Sequence, residues 1–144
     1  MLQNSNIYKL KTKRYIHQRE WFIMTKINRI AIHGFKSFAH KTDVPFDSKF
    51  NCILGPNGSG KSNIGDALCF VLGRISAKSM RAEKAANLIF NGGKKKTPAQ
   101  KAYVEIAFCN KNNIFPHQDK EIVVNRTITK KGASTYRIND KKHT

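Results

Sequence analysis

Hydrophobic and polar residues alternate in several short segments of the chain, which is the pattern of half-buried β-strands. A further short strand is predicted at KTDVPF, where Pro45 limits it to a sheet edge or a strand end. Gly132 marks the turn of a predicted hairpin, because it separates two alternating runs that are rich in β-branched residues. The strands predicted from alternation are KINRIAIHGF, AYVEIAFCN and the two halves of EIVVNRTITKKGASTYRIND.

Two apolar runs differ from this alternation. FNCIL, from Phe50 to Leu54, is apolar except for Asn51 and stops at Gly55, as a buried strand does. SNIGDALCFVLG instead has apolar residues at spacings of three and four, which predicts one helix ending at Gly73. The segments ISAKSMRAEKAANLIFNGG and KKKTPAQK are interpreted as loops, the first with at most one helical turn. The chain is therefore predicted to be β-rich with a single main helix.

Between the apolar strand and the helix lies GPNGSGKS, which satisfies the phosphate-binding pattern G-x-x-x-x-G-K-[ST] in full. Its glycines allow the backbone to approach a nucleotide closely, so that loop amides and the helix N-terminus point at phosphate oxygens. Lys61 would place its charge on the β- and γ-phosphates, and the Ser62 hydroxyl would ligate Mg²⁺. The predicted cofactors are ATP and Mg²⁺, and the predicted site comprises Gly55, Pro56, Asn57, Gly58, Ser59, Gly60, Lys61, Ser62 and Asn63.

Hydrolysis needs more than this loop, namely an acidic residue near Mg²⁺ and a group that orients water. The usual source is a strand of four apolar residues that ends in Asp or Glu. AYVE is the nearest candidate, but it has too few apolar residues, and Glu105 is predicted to be a solvent-facing strand residue. Asp66 is expected to face away from the phosphates. No catalytic residue is therefore assigned within the chain, which is expected to be inactive alone.

The charge balance is strongly basic, with 27 Lys and Arg against 9 Asp and Glu and a net charge of +18 spread along the chain. Such a charge attracts polyanions, most simply nucleic acid and less simply an acidic membrane surface. The alternative is a basic surface that is merely solvated. The three Cys and five His show no metal-ligand spacing, and Cys52 and Cys69 are predicted to be small buried hydrophobes. No segment has the length of a membrane span or the form of a signal peptide, which indicates an intracellular protein.

Residues 1–23 form a basic, weakly patterned leader, and the sequence from Met24 onward looks like the start of a protein. The leader is interpreted as a disordered extension from an upstream start codon. The alternative is a basic arm that contacts DNA or lipid.

With the loop and its flanks in place, the chain resembles the N-terminal head segment of the structural maintenance of chromosomes (SMC) proteins, which are ABC-type ATPases. The loop GPNGSGKSNI would also fit RecF- and RecN-like repair ATPases. The narrower match is GFKSFAHKTDVPF before the loop and DALCFVLGRISAKSMRAEKAANLIFNGG after it, and it extends over residues 24–144. Archaeal and bacterial members look most similar. The resemblance implies an α/β P-loop NTPase fold, specifically the N-terminal lobe of an ABC-like head, as an incomplete half of that head.

The resemblance also implies roles for basic residues that composition could not assign. Arg81 matches the family's arginine beside the nucleotide, which couples DNA binding to hydrolysis in some members. Lys84, Lys36 and the cluster Lys94, Lys95 and Lys96 would face DNA. Such lysines make salt-dependent phosphate contacts without reading sequence. A merely solvated loop is the alternative for the three-lysine cluster.

The family's remaining catalytic parts come from other segments: a glutamine, a signature loop, an Asp–Glu pair and a switch His. The resemblance therefore implies the C-terminal half of a head, a second head in an ATP-dependent dimer, a kleisin-type subunit and DNA as partners, and no membrane. The protein would be cytoplasmic and associated with the nucleoid. Without the other half, this half is expected to expose apolar surface.

The leading hypothesis is thus that the chain is the ATP-binding N-terminal half of an SMC-type head that acts in chromosome condensation and segregation. It would bind DNA without sequence preference and would need a C-terminal half for hydrolysis. One alternative is a stand-alone basic nucleic-acid-binding protein with a relic P-loop, and another is a fragment of a RecF- or RecN-like repair ATPase. A small P-loop kinase or GTPase would need lid arginines or an N-K-x-D motif, and the chain has neither.

Overall fold

The computed structural model describes residues 25–47, 50–73, 85–93 and 97–143. A six-stranded sheet in the order β2-β1-β3-β4-β5-β6, with all neighbours antiparallel, packs one face against a helix. A short 3₁₀ helix at Ala85–Leu88 adds to that layer. The strands and the helix are β1 Ile27–His33, β2 Thr42–Pro45, α1 Lys61–Val71, β3 Lys101–Cys109, β4 Glu121–Thr129, β5 Ser134–Ile138 and β6 Lys141–His143.

Most of the elements predicted from alternation are confirmed. The strand containing Pro45 lies at a sheet edge, and Pro45 is its last residue. The predicted hairpin forms between β4 and β5, with Gly132 in its turn at a φ of 83°. The predicted helix begins at Lys61 and ends at Val71, shortly before Gly73. The leader at residues 1–23 lies outside the described residues.

The core lies between α1 and one face of the sheet. Alternate residues of β1, β3 and β4 share this face because directly paired residues of neighbouring strands point the same way. The helix contributes Ala67, Phe70 and Val71, and the Phe70 ring lies 5.3 Å from that of Phe35. The fully buried sheet residues of this core are Ile30, Ile32, Ala102, Val104, Ile106 and Ile128.

The prediction of a buried strand at residues 50–54 is wrong for the structure of this chain. The segment has no regular structure, and Phe50 and Leu54 are 83% and 87% exposed. A buried strand needs a partner that covers it, and the described sheet ends at β2 and β6 without pairing to this segment. Cys52 is exposed for the same reason, and Cys69 is only partly buried, so neither is the buried hydrophobe that was predicted.

The strand β6 was not predicted from the sequence. Asn139 and Asp140 adopt φ values of 45° and 63°, both in the left-handed region, and form a two-residue turn between paired Ile138 and Lys141. Asn and Asp are the non-glycine residues that best tolerate this conformation, and turns of this kind close two-residue hairpins. The dipeptide was therefore a readable signal for a second strand after Gly132.

No helix in the described part of the chain combines the length and the hydrophobicity that crossing a bilayer requires. Within the same ranges, no group of three His, Cys, Asp or Glu side chains is arranged as metal ligands.

Candidate nucleotide-binding site

The glycine-rich loop leads directly into the N-terminus of α1. Gly58 and Gly60 have φ values of 80° and 93°, in the left-handed region that side chains other than glycine rarely adopt. Gly60 is the N-cap of the helix and offers no side chain to its amides. Asn63 N–H donates to Gly60 O at 2.9 Å. The helix amides before it have no carbonyl four residues earlier within the helix, and they can therefore serve an anion in the loop. The absence of acidic residues from the first turn keeps this end of α1 positive.

Lys61 extends its side chain across the loop. Its Nζ donates hydrogen bonds to the carbonyl oxygens of Gly55 and of Pro56, the latter at 2.7 Å. Ser59 N–H closes a turn onto Pro56 O at 3.3 Å, and Ser62 is exposed at the start of the helix. The ammonium is thus held over the loop by carbonyl oxygens, which phosphate oxygens can replace as acceptors.

The segment that follows β1, residues 34–38, forms one wall of the loop. Ser37 Oγ accepts a hydrogen bond from Asn63 Nδ2 at 2.8 Å. A Cβ at Gly60 would lie 2.8 Å from Ser37 Oγ, so this close approach requires glycine. Ser37 did not figure in the sequence prediction of the site, and its contact joins residues 26 positions apart, which no local pattern indicates.

Lys36, in the same segment, forms an ion pair with Asp66 of α1. Its Nζ lies 2.6 Å from Asp66 Oδ2, and the two side chains are only 13% and 18% exposed. Its backbone N–H donates to Leu88 O at 2.8 Å. This ion pair argues against the DNA-binding role predicted for Lys36, because the ammonium is neutralised and largely covered.

Glu105 is not the solvent-facing residue that was predicted. Its carboxylate accepts hydrogen bonds from Arg29 Nη1 at 2.6 Å and from Tyr103 Oη, and its side chain is 15% exposed. Burial lowers the pKa of Arg29, but the hydrogen bond and charge of Glu105, together with the charges of Glu121 and Asp43, raise the pKa overall. Burial, followed by the same carboxylate, raises the pKa of Tyr103. Pairing with Ala31 puts Glu105 on the sheet face opposite α1, away from the loop.

Arg126 anchors the other end of α1. Its guanidinium donates to Phe70 O and to Ser134 Oγ, each at 2.9 Å, and lies between the rings of Phe70 and Tyr136 at 4.5 and 4.7 Å. A positive charge at a helix C-terminus is favourable, and stacking on aromatic faces adds to it. The helix that carries the loop is therefore fixed to the sheet by β4 and β5. Alternation alone gave no reason to assign Arg126 this position.

The structure brings together the predicted residues from Gly55 to Asn63 in one continuous loop and helix start. Arg81, Lys84 and the cluster Lys94, Lys95 and Lys96 lie outside the described residues.

A family model, curated proteins and solved structures all match this chain, and all three point to the same family. Residues 26–144 match the model of the RecF/RecN/SMC N-terminal domain. The chain is 46% identical over 122 residues to the chromosome partition protein Smc of Pyrococcus furiosus and 45% identical over 114 residues to that of Aquifex aeolicus. These alignments cover 84% and 78% of this chain but only 10% of each relative, so the chain spans about a tenth of their length.

Solved structures show the same likeness. A structure from work on ATP-driven dimerisation and DNA-stimulated activation of SMC ATPases is 44% identical with a TM-score of 0.78, covering 82% of this chain and 72% of that one. The Smc head of Pyrococcus furiosus bound to the C-terminal domain of ScpA is 45% identical with a TM-score of 0.81, covering 84% of this chain and 31% of that one. A RecF structure at 21% identity and a TM-score of 0.61 shows the shared fold alone. The chain belongs to the RecF/RecN/SMC N-terminal domain family, and its fold is that of the N-terminal portion of an SMC head.

Proposed function

We propose that this chain is the ATP-binding part of a chromosome partition ATPase head. The observation that carries the proposal is the complete glycine-rich loop joined to the uncapped N-terminus of α1, with the Lys61 ammonium lying across it. We propose that residues 24–144 form the domain and that residues 1–23 are a leader. The family match over residues 26–144 supports this domain boundary.

The donor set fits a polyphosphate. Loop amides and the first amides of α1 would hold phosphate oxygens, and Lys61 would exchange its carbonyl partners for the β- and γ-phosphates. The exposed Ser62 hydroxyl would ligate Mg²⁺. When bound, ATP supplies the phosphoanhydride whose hydrolysis the complete ATPase uses. Ser37 and Asn63 keep the wall of the loop in place, and the ion pair between Lys36 and Asp66 holds that wall to the helix.

The exposed run at residues 50–54 supports a second half of the head as partner. Contiguous exposed apolar side chains such as Phe50 and Leu54 mark surfaces that another polypeptide covers. We propose that the C-terminal half pairs here and adds the strand partner that this segment lacks. By analogy with the solved relatives, the proposed further partners are a second head in the presence of ATP and a kleisin subunit of the ScpA type. The complete protein would act on the chromosome in the cytoplasm.

The chain is expected to bind ATP with Mg²⁺ but to hydrolyse it negligibly. Of the two carboxylates considered for catalysis, Asp66 is paired with Lys36 and Glu105 lies on the far face of the sheet, so neither can orient water at the γ-phosphate. Equilibrium binding of a fluorescent ATP analogue and phosphate release are measured on the same sample. Turnover that disappears in Lys61→Ala would contradict the expectation, and absence of binding would overturn the proposed site.

DNA binding is proposed to be non-specific and to weaken steeply with salt, because the net charge of +18 favours phosphate contacts over base contacts. Two duplexes of equal length and unrelated sequence are compared by anisotropy over a salt series. Replacing Lys94, Lys95 and Lys96 together by alanine is expected to reduce the slope of log affinity against log salt by roughly 2 to 3.

The matched control replaces the exposed Lys130, Lys131 and Lys142 by alanine, which removes the same charge from elsewhere in the chain. Equal losses from both triple variants would mean that net charge alone attracts DNA. A strong preference for one duplex at fixed salt would count against the non-specific mode.

A further inference from the structure

Asn-Gly is the dipeptide most prone to spontaneous deamidation, because glycine has no Cβ to hinder its backbone nitrogen. In this reaction the deprotonated nitrogen of the glycine attacks Cγ of the asparagine. A new N–Cγ bond forms, the bond from Cγ to the amide nitrogen breaks, and ammonia leaves. Water then opens the cyclic succinimide at either carbonyl, giving aspartate or isoaspartate. The balance is one water consumed and one ammonia released, with no oxidant or reductant.

The chain contains two Asn-Gly dipeptides, and the structure places them in opposite environments. The first, Asn57–Gly58, lies inside the phosphate loop, and both residues are exposed. Neither the Asn57 side chain nor the Gly58 N–H makes a hydrogen bond within the described residues. A Cβ placed on Gly58 would meet no heavy atom within 4 Å. The nucleophile and the target carbonyl are therefore free of hydrogen bonds within the described residues, and nothing crowds Gly58.

The second dipeptide, Asn91–Gly92, is restrained. Gly92 is buried, and Asn91 Oδ1 accepts a hydrogen bond from Gly93 N–H at 3.2 Å. The preceding Phe90 is fixed on both sides, since its N–H donates to Gly34 O at 2.8 Å and its carbonyl accepts from Ala99 N–H at 3.0 Å. Rotation of the Asn91 side chain and approach of the Gly92 nitrogen must therefore break existing contacts.

We propose that Asn57 is a deamidation site whose conversion disables the phosphate loop. The consequence for ATP rests on the proposed nucleotide-binding function, whereas the reactivity of Asn57 does not. Isoaspartate would carry the main chain through the side chain and add one carbon between residues 57 and 58. That change displaces the glycine amides that follow, and the new carboxylate repels a polyphosphate.

The rates at the two sites are measured by peptide mass mapping of the purified 144-residue chain during incubation at mildly alkaline pH, with isoaspartate identified by its methylation by isoaspartyl methyltransferase. Conversion at Asn57 is expected to be about tenfold faster than at Asn91, because the second site must first give up its hydrogen bond and burial. Equal rates, or faster conversion at Asn91, would overturn the site. Asn57→Gln is expected to remove the main product and Asn91→Gln to leave it.

The consequence is tested by ATP binding to fresh chain, to aged chain and to Asn57→Asp. Aged chain is expected to bind ATP at least about tenfold more weakly than fresh chain. A loss of this size corresponds to one charge-assisted hydrogen bond or more. Asn57→Asp adds the charge without the extra main-chain atom and is expected to lose less. Aged chain that binds as well as fresh chain would overturn the loss of function. Fresh chain that binds no ATP while Asn57 converts would overturn the proposed function and leave the deamidation site standing.

Discussion

Replacing Lys61 by alanine is expected to weaken ATP binding about a hundredfold, the upper range for losing a charged hydrogen-bond donor. The structure explains why one side chain should matter this much. Its ammonium is held over the loop by the carbonyl oxygens of Gly55 and Pro56, so it is already positioned where β- and γ-phosphates would lie. Isothermal titration with MgATP measures the change directly.

The fold itself should tolerate this substitution. Within the described residues the Lys61 ammonium bonds only to loop carbonyls. The helix that follows is held by Phe70, Val71 and Ala67 in the core and by Arg126 at its far end. The unfolding midpoint of Lys61→Ala is therefore expected to change little. Lys142→Ala removes the same charge from exposed β6 and serves as the matched control. Unchanged ATP affinity in folded Lys61→Ala would favour the alternative of a relic loop on a nucleic-acid-binding protein.

The parts of the structure that sequence analysis predicted are those set by neighbours along the chain. Alternation predicts β1 and β3 because successive residues of a strand face opposite sides of the sheet. The phosphate loop is predicted because its glycines, lysine and serine must be consecutive. In contrast, the pairs Lys36 with Asp66 and Arg126 with Phe70 join residues 30 and 56 positions apart, and no local pattern contains them.

The error at residues 50–54 has a different cause. An apolar run of this length indicates burial, and the indication holds only if the covering partner is present. Phe50 and Leu54 are exposed, and neither edge of the sheet that the structure describes pairs with them. The prediction therefore fails for this fold, and it would hold if the C-terminal half proposed above covered the segment.

Replacing Asn110 by aspartate is expected to destabilise the chain by about 3 kcal/mol or more, the cost of breaking a buried polar network and leaving a charge in it. Asn110 is 1% exposed and organises the loop at 110–120 between β3 and β4. Its Nδ2 donates to the carbonyl oxygens of His117 at 3.0 Å and Asp119 at 2.9 Å, with Phe115 O at 3.4 Å. Its Oδ1 accepts from Phe115 N–H at 2.9 Å. A carboxylate keeps the shape and the acceptor but points a negative charge at three carbonyls.

The pH dependence separates this mechanism from a general loss of packing. Burial against carbonyl oxygens would raise the pKa of the introduced carboxyl above the value of about 3.9 for exposed Asp. The protonated acid can still donate one hydrogen bond. The deficit of Asn110→Asp relative to the original chain is therefore smallest at acidic pH, grows as pH rises through about 4 and levels off above the raised pKa. Urea unfolding at several pH values measures this deficit.

Asn112→Asp, in the same loop but exposed, adds the same charge and is expected to show neither the deficit nor the pH dependence. Equal deficits in the two variants would mean that the charge of the loop, and not the network of Asn110, sets its stability.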